Sequence, residues 1–123
     1  MIRALIVAIF LPACAAAPAG TGLPAAAMGA PAKVIDAARK DAARRSGLAE
    51  KQVQVLSAEA VTWPDGGLGC PVKGMLYTQS QVPGYRVKLR VGKEEWDYHA
   101  SERGNVVRCE KGRAQEPEPG GRN

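Results

Sequence analysis

Between Tyr85 and Ala100 the side chains fall into two ranks. Tyr85, Val87, Leu89 and Val91 stand at every second place, with Arg86, Lys88 and Arg90 between them. A period of two marks an extended strand with one face turned toward a core. Gly92-Lys93 then suits a two-residue hairpin turn with glycine first, and the chain returns through Trp96, Tyr98 and His99. Such a turn sets the register. Leu89 should face Trp96 and Val87 should face Tyr98 on the core side. On the polar side Arg90 should meet Glu95, Lys88 should meet Asp97, and Arg86 should lie opposite His99. Opposite charges in facing positions stabilise a sheet by about 0.2–1 kcal/mol each. The basic stripe is therefore largely neutralised by its neighbour strand.

The segments around this hairpin complete the fold. From Lys33 to Leu48, Val34, Ile35, Ala38 and Ala42 recur on one helical face. Asp36 would stand in the first turn and Arg44 and Arg45 in the last, where their charges suit the helix dipole. Gly47 followed by Leu48 reads as a glycine C-cap. The stretch from Gln52 to Trp63 reads as a strand whose alternation changes phase near Leu56, which predicts a bulge. Ser101 to Asn105 turns the chain into a short last strand, Val106 to Cys109. The expected fold is α+β: one N-terminal helix packed on a small antiparallel sheet (strand, long loop, three-stranded meander), with one disulfide. The globular part should run from 33 to 112 and a disordered tail from 113 to 123.

With 123 residues there is room for one domain, and its core is small enough to benefit from a covalent staple. Three cysteines is an odd count. The N-terminus accounts for one of them. Arg3 precedes an apolar run from Ala4 to Leu11, far short of the roughly 20 residues that span a bilayer. This is the build of a signal peptide over residues 1–13. The ending Leu11-Pro12-Ala13-Cys14 resembles the bacterial lipoprotein box, although Pro12 is a less usual middle residue. The resemblance implies that Cys14 is lipidated and becomes the first residue of the mature chain. An ordinary signal peptide cleaved a little further on is the alternative. Alanine at position 15, rather than aspartate, goes with outer-membrane sorting in Gram-negative lipoproteins. The expectation is an exported protein held by its lipid at the periplasmic face of the outer membrane. Residues 14–32, almost entirely alanine, proline and glycine, would tether lipid to domain.

Cys70 and Cys109 then remain, and in an oxidising compartment they should pair. Metal binding is the rival reading, but two cysteines and one distant histidine lack a recurring ligand spacing. No metal and no cofactor is expected. The formal charge of +5 comes from scattered residues, with no phosphate-cradling glycine loop before a helix and no aromatic interleaving. A nucleic-acid partner is not expected. Catalysis has little to work with. The single histidine, His99, should point to solvent between Asp97 and Ser101 on one exposed strand, without a water-excluding pocket.

The run Thr62-Trp63-Pro64-Asp65-Gly66-Gly67-Leu68-Gly69-Cys70-Pro71 is the densest in unusual residues. Pro64 and Asp65-Gly66 read as a tight turn in which Asp65 bonds its own backbone. Trp63 reads first as a lid on the core edge. Trp63, Leu68, Met75 and Tyr77, with Leu76 and Val82, carry more apolar surface between 63 and 84 than a connection needs. They either offer a binding surface to a protein or peptide of the envelope or fill the second half of a small core. A non-enzymatic binding or inhibitor-like module is the expected function. A purely structural envelope lipoprotein stands behind it, and a hydrolase further behind.

These ten residues, together with Tyr77-Thr78-Gln79, Pro83-Gly84-Tyr85-Arg86-Val87, Trp96-Asp97-Tyr98-His99 and Cys109, resemble a family of small bacterial exported proteins and lipoproteins of uncharacterised function. That resemblance covers Thr62 to Cys109 and implies export and a disulfide-compatible frame, but no activity. The helix–strand–hairpin order is also similar to PepSY-type domains, exported modules linked to protease inhibition, in topology alone.

Overall fold

The computed structural model describes residues 29–119. One helix, α1 (Ala32–Ser46), precedes four strands: β1 (Gln54–Trp63), β2 (Val82–Val91), β3 (Glu94–Ser101) and β4 (Val106–Cys109). The strands form one antiparallel sheet in the order β1-β2-β3-β4. The helix and sheet have the α+β arrangement that the alternation predicts. The leader, Cys14 and most of the tether lie outside the described residues.

Helix α1 buries Val34, Ile35, Ala38 and Ala42 against the sheet. Two of these are alanines, which lets the helix lie close to Val87, Leu89, Tyr98 and Ala100. Gly47 ends the helix in the left-handed conformation, its N–H donating to the Ala43 carbonyl at 2.9 Å. The helix begins at Ala32, earlier than the periodicity indicates, so Asp36 stands beyond the first turn, which holds no acid. The charge that matters is Asp41. It accepts from Arg44 at 2.6 Å and Arg45 at 2.7 Å, and the buried Tyr98 donates its hydroxyl to it at 2.7 Å. Burial pushes the Tyr98 phenol up, and the hydrogen bond to Asp41 adds to the shift. Burial also works to raise the Asp41 carboxyl, but the bonds from Tyr98, Arg44 and Arg45 hold it below its ordinary value.

The hairpin adopts the register its turn dictates: Leu89 pairs with Trp96, Val87 with Tyr98, Lys88 with Asp97, Arg86 with His99 and Arg90 with Glu95. The bulge in β1 falls between Val55 and Ser57. The polar face of the hairpin differs from expectation, because around Arg86, Asp97 and His99 it is turned away from water, while Arg90 and Glu95 near the turn stay exposed. The 64–81 loop folds back over it, and the segment 113–119 crosses over the loop instead of forming a disordered tail. Gln115 N–H donates to Gly69 O at 2.7 Å, and Glu118 N–H donates to Thr62 O at 2.8 Å. The sheet is thus covered by the helix on one side and, over the part around His99, by irregular chain on the other.

Candidate functional site

Alternation sends Val61 and Trp63 of β1, Gly84 and Arg86 of β2, Asp97 and His99 of β3, and Cys109 of β4 to the face away from the helix. The site is built where these positions converge. Trp63 is 0% exposed. Its indole reaches across β2 to donate from Nε1 to the Ala100 carbonyl at 3.1 Å. Gly84 makes the passage possible, because a Cβ there would overlap the Ala100 carbonyl oxygen and press on the indole.

His99 lies flat on this indole, the ring centroids 4.2 Å apart and the planes 20° from parallel. It is fully buried, and the expectation of a solvent-facing histidine is corrected on this point. Local alternation assigns His99 to the polar face correctly, but it says nothing of the loop that returns over that face. His99 Nδ1 stands 2.6 Å from the Leu68 carbonyl oxygen and Nε2 stands 3.0 Å from Asp97 Oδ2. Both ring nitrogens therefore stand within hydrogen-bond distance of an oxygen, one on the loop and one on the histidine's own strand. Neither ring nitrogen is bonded to Ser101.

The loop is shaped to deliver that carbonyl. Asp65 Oδ1 accepts from Gly67 N–H at 2.8 Å, the backbone turn expected of Pro64-Asp65-Gly66. Leu68 then takes a left-handed φ of 56° and Gly69 one of 66°. The first is uncommon for a residue with a branched side chain and costs about 1–2 kcal/mol. Together they aim Leu68 O inward at His99 and Gly69 O outward at Gln115 N–H. Only glycine fits at 69, since a Cβ there would lie 2.6 Å from the Trp63 ring. The next residue, Cys70, bonds Cys109, with Cα atoms 5.6 Å apart and a sequence separation of 39.

Arg86 completes the network. Its guanidinium donates to both Asp97 oxygens, at 3.2 Å from Nε and 2.9 Å from Nη2, while Nη1 donates to Glu116 at 2.7 Å. The hydrogen bond to Asp97 pushes the Arg86 pKa up, with Glu116 adding to it. Arg86 thus takes Asp97 diagonally, although Lys88 is the residue that directly faces it. Burial works to raise the Asp97 carboxyl, yet the hydrogen bonds from His99 and Arg86 override it and hold Asp97 at about 2. An unfolded aspartate titrates near 3.9. The folded value is depressed, so this stabilisation is full above about pH 4 and is lost as pH falls toward 2. The melting temperature should drop through that window, and Asp97→Asn should flatten the drop. An equally steep acid transition in the variant would show that the network does not set it.

The residues of the candidate binding loop divide sharply. Trp63 contributes no surface. Leu68 is half-buried and acts through its carbonyl. Tyr77 is half-buried, its hydroxyl accepting from Val72 N–H at 3.0 Å. Met75 is 59% exposed and its neighbour Leu76 is 97% exposed, with Val72 beside them. The arm 72–76 is turned by a Met75 N–H to Val72 O bond of 3.1 Å, and the loop is closed by a Gly66 N–H to Thr78 O bond of 2.8 Å. Gln115 and Glu116 lie in the stretch expected to be a disordered tail, because a Pro-alternating segment gives no periodic signal of docking.

Elsewhere, a cleft of about 550 Å³ opens beside the hairpin end, where Arg108 stacks 3.9 Å over Trp96. Its lining mixes bases and acids evenly and singles out no ligand. Among the described residues, no group of three His, Cys, Asp or Glu side chains could hold a metal ion, and no helix is long and apolar enough to cross a membrane.

In comparison with known proteins, residues 35–109 match the family model of a domain of unknown function (DUF8738). No curated protein and no solved structure matches the chain.

Proposed function

The chain belongs to the DUF8738 family, and from the geometry of its covered sheet face we propose that it is a small non-enzymatic binding module of the cell envelope. In this reading Cys14 anchors it to the membrane by lipid and the arm 72–76 captures a protein or peptide partner. One observation carries the proposal. Met75 and Leu76 stand exposed on a loop that is otherwise tied down by a disulfide, an aromatic stack and a chain of hydrogen bonds. A solvated leucine at the tip of a mobile loop would be unremarkable. On a rigid loop the apolar side chains are already positioned, and little conformational entropy is lost on docking. The buried histidine supports the non-enzymatic part, because one ring nitrogen is engaged by the loop carbonyl of Leu68 and the other by Asp97. The short apolar leader and its lipoprotein-like ending support export, and a disulfide in a chain this small fits an oxidising compartment.

Envelope fractionation and partner capture test the reading in three versions of the full chain. Cys14→Ser should move the protein from the membrane to the soluble fraction. Met75→Asp with Leu76→Asp should leave it on the membrane, shift stability by less than about 0.5 kcal/mol as exposed positions do, and abolish capture. An unmodified Cys14 in a soluble wild-type protein overturns the anchor. Capture unchanged by the double substitution overturns the arm.

A further inference from the structure

We propose that the segment 115–118 occupies a slot built for an extended acidic peptide, and that a partner bearing such a peptide binds by displacing it. This site is separate from the arm, and the inference does not depend on the arm's role.

Three contacts define the slot. The Gly69 carbonyl accepts from Gln115 N–H at 2.7 Å, the Arg86 guanidinium donates to the Glu116 carboxylate at 2.7 Å, and the Thr62 carbonyl accepts from Glu118 N–H at 2.8 Å. On the receptor side all three groups are also held by contacts that do not involve the segment. Thr62 lies near the end of β1, an edge strand of the sheet, whose outward carbonyls can receive an added strand. Gly69 is held by the left-handed loop and by its contact with Trp63. Arg86 is clamped by Asp97 and has only 12% of its side chain exposed, with Nη1 left over for an incoming anion.

On the segment's side almost nothing is specific to this chain. Two contacts use backbone N–H groups, three residues apart, and the third uses one carboxylate. Pro117 has no N–H to leave unpaired and favours the extended conformation. Glu116 remains 81% exposed, so the bond that selects for acid is the one most open to exchange. Any extended segment with a carboxylate one residue after its first donating amide could make the same three contacts. The strap then competes as an intramolecular ligand, at an effective concentration on the order of millimolar. A free peptide should therefore bind poorly until the strap is weakened.

The probe is a labelled peptide of the strap's own sequence, residues 114–119, titrated against the full mature chain and against its Glu116→Lys variant. The lysine faces Arg86 and should release the strap. The peptide should bind the variant at least about tenfold tighter than wild type, as expected for removing a charge-assisted competitor. A peptide with its first glutamate changed to glutamine should bind the variant about tenfold weaker. Sedimentation of the wild-type chain identifies the natural source. The occupant is a segment of another protein, so the wild-type chain should be a monomer; a dimer that Glu116→Lys dissolves would overturn that source in favour of the tail of a second copy. Absence of saturable binding to a folded variant, or equal binding of the glutamine peptide, overturns the proposal. Amide exchange in the wild type gives a reading that needs no variant. The Gln115 and Glu118 amides should exchange well before those of β2, and equal protection would make the strap part of the core.

Discussion

Replacing Trp63 with alanine should destabilise the domain by about 3–5 kcal/mol, the range for emptying a buried large aromatic site. Three losses coincide at this position. The indole fills the space between sheet and loop, donates to the Ala100 carbonyl, and forms the floor on which His99 stacks. Without it the Ala100 carbonyl loses a buried donor and Gly69 loses the surface it packs on. Trp63→Phe separates these contributions. It keeps the aromatic floor and removes only the Nε1 donor, so it should cost about 1–3 kcal/mol, the penalty for an unsatisfied buried acceptor. Urea unfolding of the three proteins measures both. A loss under about 1 kcal/mol for Trp63→Ala would mean that the indole is peripheral. The arm 72–76 gives a second readout. Since its loop is held through Trp63 and His99, partner capture should fail in Trp63→Ala before the helix–sheet core melts.

The two faces of the sheet were unequally legible in the sequence, for a physical reason. The helix face is written in local periods. Val34, Ile35, Ala38 and Ala42 repeat at helical spacing, Val87, Leu89 and Val91 repeat at strand spacing, and Gly92-Lys93 sets the register between Leu89 and Trp96. Each of these signals lies within about a dozen residues of its partner. The opposite face is held by contacts between residues far apart in the chain: Leu68 with His99, Gly69 with Gln115, and Arg86 with Glu116. Its strands are also polar, which reads as solvation when no covering element is periodic. The clue available was composition. A tryptophan, three glycines and a cysteine within a few residues imply close approach of backbone to something bulky, and the buried His99 with the half-buried Asp97 supplies the partners. The disulfide, by contrast, followed from cysteine arithmetic and compartment. The assignment of Cys14, which began that arithmetic, lies outside the described residues.

Removing the disulfide with Cys70→Ser and Cys109→Ser should cost about 4 kcal/mol on a chain-entropy account, for a closed loop of this length. A domain of this size has a total stability of roughly 5–13 kcal/mol. The bond therefore accounts for a large part of the margin, consistent with a core supplied by one short helix and many alanines. The loss should not be uniform. The helix face of the sheet makes no use of either cysteine, whereas Cys70 directly follows the Leu68-Gly69 pair that serves His99 and the strap. Releasing it lets a left-handed leucine relax, and the strained backbone has no other covalent restraint nearby. The near-ultraviolet signal of Trp63 should consequently fall at lower urea than the far-ultraviolet signal of the helix in the serine variant, while the two transitions coincide in the oxidised wild type. Reducing the wild type in folded conditions should reproduce the variant. Coincident transitions in the variant, displaced by less than about 1 kcal/mol from wild type, would place the stability of the loop in its hydrogen bonds alone. The covalent tie would then be dispensable for displaying the arm.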